Sequence, residues 1–156
     1  MLRFKKGKMM SLQFAKNLVR FAALYNASAL IIFLTPGGLQ FFGINEPYSP
    51  FWTWLPSLLA LFASIVLFFS SKDLHRYGVF PYWNGIIRML FAVVAFLLDF
   101  KSGVGLFIGV IAVGDLILGF LCVISIPKAL NQNHRRILLN KLTDYSGGNY
   151  QNEEAR

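Results

Sequence analysis

Long apolar runs, separated by short polar segments, dominate the pattern along the chain. They cover about residues 18–35, 52–70, 81–98 and 104–126. Each run is close to the length of about 20 residues that an α-helix needs to cross the hydrocarbon core of a bilayer. The apolar residues do not alternate with polar ones, which argues against a β-barrel. The pattern therefore predicts an all-α integral membrane protein, an antiparallel bundle of four transmembrane helices.

Prolines lie near the predicted ends of these spans. Pro36 follows the first run and Pro127 follows the last. Pro56 is expected in the first turn of the second span and Pro81 at the start of the third, where a missing N–H costs little. The prolines therefore predict where the helices begin and end.

Composition supports a single membrane domain over residues 18–127. The chain is 56% hydrophobic and only 14% charged, whereas soluble domains carry about 25% charged residues. Residues 1–17 form a basic lead-in, and residues 128–156 form a basic amphipathic segment followed by a tail too polar to fold alone. The basic stretches 11–20 and 128–142 fit either helix extensions or helices on an anionic membrane surface, and we expect helix extensions.

The distribution of basic residues predicts the orientation of the spans. Thirteen of the fifteen Lys and Arg residues lie before or at the start of the first span, between the second and third spans, or after the fourth, and residues 36–51 contain none. The positive-inside rule then predicts a cytoplasmic N-terminus, middle loop and C-terminus. The start of the chain also resembles a secretory signal, but its apolar run is longer and no clear cleavage site precedes Pro36. We expect it to be retained, although the charge pattern would be the same after cleavage.

Two oppositely charged residues lie inside the apolar runs. Arg88 in the third span and Asp115 in the fourth are equally distant in sequence from the turn between those spans. At 1.5 Å per helical residue they reach the same depth, and charges at that depth are costly unless paired. We therefore predict an Arg88–Asp115 ion pair within a polar layer that also includes Asn26 and Ser64.

Small residues recur along one face of the fourth span: Gly105, Gly109, Ala112 and Gly119. This spacing is typical of close packing between membrane helices. The small-residue face could pack against the third span or against a partner chain.

Signals for an enzyme are weak, and we expect no enzymatic activity. His75 and His134 lie outside the spans, so an intramembrane haem held by two histidines would lack its ligands. The single cysteine, Cys122, excludes an intrachain disulfide. No metal or cofactor is predicted, and a lipid or pigment bound at a partner interface is left open. The basic residues lie at the ends of the apolar runs and do not cluster on one face of the fold, which argues against nucleic-acid binding.

Two segments carry a family resemblance. Phe41-Phe42-Gly43 with Glu46-Pro47 precedes the second span, and Ser71-Lys72-Asp73-Leu74-His75-Arg76 follows it. Together they resemble short four-helix bacterial membrane proteins of the broad DoxX-like kind. The resemblance implies a four-helix bundle in the bacterial inner membrane.

The function expected from these features is that of a non-enzymatic accessory or scaffolding subunit of a larger membrane protein complex. Its expected partners are membrane lipids and other membrane subunits or a second copy of the chain. The alternative is a small transporter, or a lipid- or quinone-binding protein, that uses Arg88 and Asp115.

Overall fold

The computed structural model describes residues 11–44, 49–97 and 106–142. All regular structure in these ranges is helical: α1 (Leu12–Leu34), α2 (Gly38–Phe41), α3 (Phe51–Lys72), α4 (Leu74–Tyr77), α5 (Val79–Leu97), α6 (Leu106–Leu130) and α7 (His134–Leu138). By length and composition, α1, α3, α5 and α6 can each cross a membrane. The prediction of a helical fold with four helices long and apolar enough to span a membrane is thereby confirmed for the described residues. Predictions for Gly105, for most of the lead-in, for the turn before α6 and for the tail fall outside the described residues.

The first helix begins earlier than the predicted span. The Ser11 side chain accepts a hydrogen bond from the backbone N–H of Phe14 at 3.1 Å, which caps the N-terminus of α1. Ala15 and Val19 in its first turns are fully buried. The stretch 11–20 is therefore a packed extension of α1.

The prediction that the fourth span ends at Pro127 is wrong, because α6 continues through this residue to Leu130. Pro127 cannot donate the usual hydrogen bond to the preceding turn. Ile126 and Leu130 on either side of it are buried in the core, and this packing stabilises the last turn. The helix ends at Leu130, because the next residue, Asn131, has a left-handed φ of 53°. The N–H of Gln132 donates to the Pro127 carbonyl at 3.0 Å.

Pro56 also lies deeper in its helix than predicted. It is in the second turn of α3, because α3 begins at Phe51. Next to Pro56, the Ser57 hydroxyl donates a hydrogen bond to the backbone carbonyl of Thr53 on the same helix at 2.6 Å. Pro81 lies in the first turn of α5, as predicted.

Two helix pairs form the bundle. α1 packs most extensively against α3, α5 packs most extensively against α6, and α1 also contacts α6. The larger core cluster draws on all of these helices and on α4 and α7: Ala15, Val19, Ala22, Ala23, Leu67, Leu74, Tyr82, Leu118, Cys122, Ile126, Leu130 and Ile137. A smaller cluster of Ala92, Ala95 and Ala112 lies between α5 and α6. The contact of α1 with α6 thus connects the two pairs.

The outside of the bundle is strongly apolar. Leu24 on α1 is 68% exposed, Phe62 on α3 is 67% exposed and Val110 on α6 is 65% exposed. Contiguous apolar surface of this kind is rare on soluble monomers and is typical of surfaces that face lipid or a partner. The exterior therefore agrees with a membrane protein.

Candidate functional site

Arg88 on α5 and Asp115 on α6 form an ion pair inside the bundle. Arg88 Nη1 contacts Asp115 Oδ1, and the two residues are 5% and 8% exposed. The ion pair expected from their equal distance to the turn is confirmed. Taking two charges out of water is costly, so their mutual contact and their further hydrogen bonds decide whether the arrangement is stable.

The remaining nitrogens of Arg88 also have partners. Nε donates to Asn84 Oδ1 at 2.9 Å on the same helix. Nη2 donates to Asn26 Oδ1 and, at 3.4 Å, to the backbone carbonyl of Ala22, both on α1. All three guanidinium nitrogens are therefore bonded to acceptors of this chain, and the acceptors come from α1, α5 and α6.

Tyr25 completes the surroundings of the guanidinium. The Tyr25 ring centroid lies 5.0 Å from Arg88 Cζ, in the range of a cation–π contact. Its hydroxyl donates to the Ile111 carbonyl on α6 at 3.4 Å. A Cβ at Gly114 would lie only 3.2 Å from that hydroxyl oxygen, so glycine leaves room for the ring. We call Ala22, Tyr25, Asn26, Asn84, Arg88 and Asp115 the Arg88 network.

Ser64 lies outside the Arg88 network. Its hydroxyl donates to the Ala23 carbonyl at 2.8 Å and so joins α3 to α1. Ala23 is adjacent in sequence to Ala22, whose carbonyl accepts from Arg88. Three of the four polar residues predicted from the sequence thus meet, while Ser64 makes a separate bond between the helices of the other pair.

Glycines allow the close approach of α5 and α6 beside the ion pair. A Cβ at Gly119 would lie 2.5 Å from the Gly85 carbonyl oxygen, and a Cβ at Gly85 would lie 2.9 Å from the Gly119 carbonyl oxygen. Ala112 is fully buried in the small cluster with α5. Gly109 does not take part, because a Cβ there would meet no described atom within 4 Å. On the small-residue face predicted for the fourth span, Ala112 and Gly119 therefore pack against α5, whereas Gly109 does not.

Sequence reasoning missed Gly85. It lies about as far before the predicted turn between the third and fourth spans as Gly119 lies after it. The same comparison of depths that paired Arg88 with Asp115 could have identified it.

The described residues contain no group of three or more His, Cys, Asp and Glu side chains that could hold a metal ion. Cys122 is buried in the core cluster. In the described part of the chain, Ser125 Oγ is buried without a hydrogen-bond partner. The Arg88 network brings polar groups of α1, α5 and α6 together through hydrogen bonds, the ion pair and the contact with the Tyr25 ring.

A cleft of about 360 Å³ lies between α1 and α6, next to the Arg88 network. It is lined by Tyr25, Ser28, Ala29, Ile32, Phe107, Val110, Ile111 and Gly114. Ser28 Oγ already donates to the Tyr25 carbonyl at 2.7 Å. Phe42 stacks on Phe107 with ring centroids 4.0 Å apart. The cleft is therefore mainly apolar, and the two hydroxyl groups in its lining are engaged with backbone carbonyls.

Together these features define a helical protein with four helices long and apolar enough to cross a membrane and a buried Arg–Asp network between three of them. Comparisons of the chain with protein-family models, with curated proteins and with solved structures found no match. The resemblance to DoxX-like proteins stays a prediction.

Proposed function

We propose that the protein is a non-enzymatic accessory or scaffolding subunit of a larger complex in the bacterial inner membrane. One observation carries this proposal: each guanidinium nitrogen of Arg88 is bonded to an acceptor of the same chain. Intramembrane charges that serve transport face a substrate or ion pathway. The partners of Arg88 instead connect three helices, which favours a structural role in fixing helix order and register.

The proposal includes antiparallel spans with both termini in the cytoplasm. Its support is the order of the contacts, since Gly85, Arg88 and Ala92 along α5 meet Gly119, Asp115 and Ala112 of α6 in reverse order. The basic residues near the ends of the spans support the cytoplasmic termini through the positive-inside rule.

The face of α6 that carries Gly109 is the surface we propose for a partner helix. Val113 and Phe120 follow Gly109 at helical spacing and are 47% and 56% exposed. Gly109 has open space where a Cβ would be, so a neighbouring backbone can approach it closely. A subunit that docks through this face needs no catalytic group of its own.

A photo-crosslinking amino acid at Val113, used in native membranes, tests this surface. We expect a discrete adduct with another membrane protein or with a second copy of the chain. Phe62 on α3, which is 67% exposed, is the matched position on another helix, and we expect it to give only lipid adducts. Ala92, which is fully buried, is the background control. The absence of a protein adduct at Val113 would count against the accessory subunit.

The alternative is a small transporter or a lipid- or quinone-binding protein, and the cleft beside Tyr25 favours it. A volume of about 360 Å³ is at the lower end of the range of about 300–1,000 Å³ for small-molecule sites. If this alternative holds, Asp115→Asn abolishes transport or ligand binding while folded protein accumulates normally. If Asp115→Asn and Arg88→Gln only lower the yield of folded protein, the structural role is retained.

A further inference from the structure

The short helix α7 is held firmly against α5. Ile137 is fully buried in the core cluster. The Tyr82 hydroxyl and His134 Nδ1 lie 3.1 Å apart, and Trp83 Nε1 donates to the Leu138 carbonyl at 3.4 Å. These contacts fix which side of α7 faces outwards.

The outward side of α7 combines cations with apolar side chains. Arg135 and Arg136 are exposed, and Leu138 and Leu139 are 39% and 51% exposed. The chain then turns back through Asn140, whose φ is 52°, and the N–H of Lys141 donates to the Arg136 carbonyl at 2.7 Å. We call Arg135, Arg136, Leu138, Leu139 and Lys141 the α7 face. Its mixture of basic and apolar residues is typical of helices that lie in the membrane–water interface.

No carboxylate among the described residues neutralises the α7 face. The acidic residues in the described ranges are Asp73 and Asp115. Asp115 is bonded to Arg88, and Asp73 accepts from the N–H of Arg76 at the start of α4. The three cations of the α7 face therefore have no anionic partner in the described part of the chain.

We propose that the α7 face binds the headgroups of anionic phospholipids in the adjoining leaflet. Trp83, which bonds to α7, is 42% exposed, and tryptophan concentrates at the level of the headgroups. The charge of the face is complementary to anionic lipid, and its exposed leucines can insert between the headgroups. The positive-inside rule concerns orientation during insertion, whereas this lipid preference is a property of the folded protein.

Trp83 can report on this site. The chain has three tryptophans, so the double substitution Trp52→Phe/Trp54→Phe leaves Trp83 alone. The purified protein is reconstituted into bilayers that contain brominated phosphatidylglycerol or brominated phosphatidylcholine, and quenching of Trp83 is compared. One basic residue near an anionic surface contributes a factor of about five in binding. We expect Trp83 to prefer the anionic quencher at least about fivefold at low salt, and to lose this preference at high salt.

Three matched variants decide whether the α7 face is responsible. Arg135→Gln/Arg136→Gln is expected to abolish most of the preference, and Arg135→Lys/Arg136→Lys to retain it. Lys16→Gln/Arg20→Gln removes the same charge from α1 and is expected to retain it as well. Equal quenching by the two lipids, or an equal loss in the α1 variant, would overturn the proposal. Unchanged Trp83 emission in phosphatidylcholine shows that α7 is in place in each variant.

Discussion

Gly85 and Gly119 lie so close together that a Cβ on either would collide with the backbone carbonyl of the other. Arg88 is one turn further along α5, and Asp115 is one turn back along α6. Because the two backbones approach at the glycines, the guanidinium and the carboxylate can meet within the bundle. The close helix crossing and the ion pair thus belong to one interface.

The glycine contact predicts a clear difference between substitutions on α6. Gly119→Ala places a Cβ 2.5 Å from the Gly85 carbonyl oxygen. Such overpacking typically costs about 1–3 kcal/mol, so the free energy of unfolding in detergent should fall by that amount. Gly109→Ala is the control, because its Cβ would meet nothing within 4 Å of the described structure. Equal effects of the two variants would contradict the close approach at Gly119.

The attachment of α7 can be tested by removing the Tyr82 hydroxyl. Tyr82→Phe loses the bond to His134, and an ordinary hydrogen bond contributes about 1 kcal/mol. We expect amide hydrogen exchange in residues 134–138 to accelerate roughly fivefold, with little change in α3. Tyr77→Phe removes a hydroxyl from α4 and should leave exchange in α7 unchanged. If neither variant accelerates exchange, the Tyr82–His134 contact does not hold α7.

The pairing of α1 with α3 depends in part on Ser64. Ser64→Ala removes its bond to the Ala23 carbonyl, and bonds between membrane helices contribute about 0.6 kcal/mol on average. Ser28→Ala removes a bond within α1 and is the matched control. Thermal unfolding in detergent should show a larger loss for Ser64→Ala. A larger loss for Ser28→Ala would contradict the role assigned to Ser64.

Much of the fold follows from the sequence, because the apolar runs have the length of membrane-spanning helices. Equal distance from one turn also suffices to pair Arg88 with Asp115, since both helices rise by the same amount per residue. This reasoning fixes the depth of a side chain but not its direction around the helix. For that reason it placed Ser64 in the same layer without showing that its hydroxyl bonds to Ala23.

Local sequence signals also misplace helix ends where burial of side chains in the core outweighs them. Pro127 indicates a helix end, yet the buried Ile126 and Leu130 carry α6 one turn further. The short α7 has too few residues for a periodic pattern. Its position depends on the distant Tyr82 and Trp83, and such contacts cannot be read from local sequence.

The central claim is that Arg88 and Asp115 are energetically coupled in the bundle, so that loss of one partner alone destabilises it. Arg88→Met or Asp115→Leu alone leaves one buried charge without its partner. Breaking a buried pair in this way costs about 3–5 kcal/mol. The double substitution removes both charges and fills the space with apolar atoms, which is often neutral or stabilising.

The most direct test is therefore the free energy of unfolding of the two single variants and of the double variant, measured in the same detergent. We expect both single variants to be strongly destabilised and the double variant to be more stable than either of them. If all three variants unfold like the unmodified protein, or if the two losses simply add in the double variant, Arg88 and Asp115 are not coupled and the structural account is contradicted.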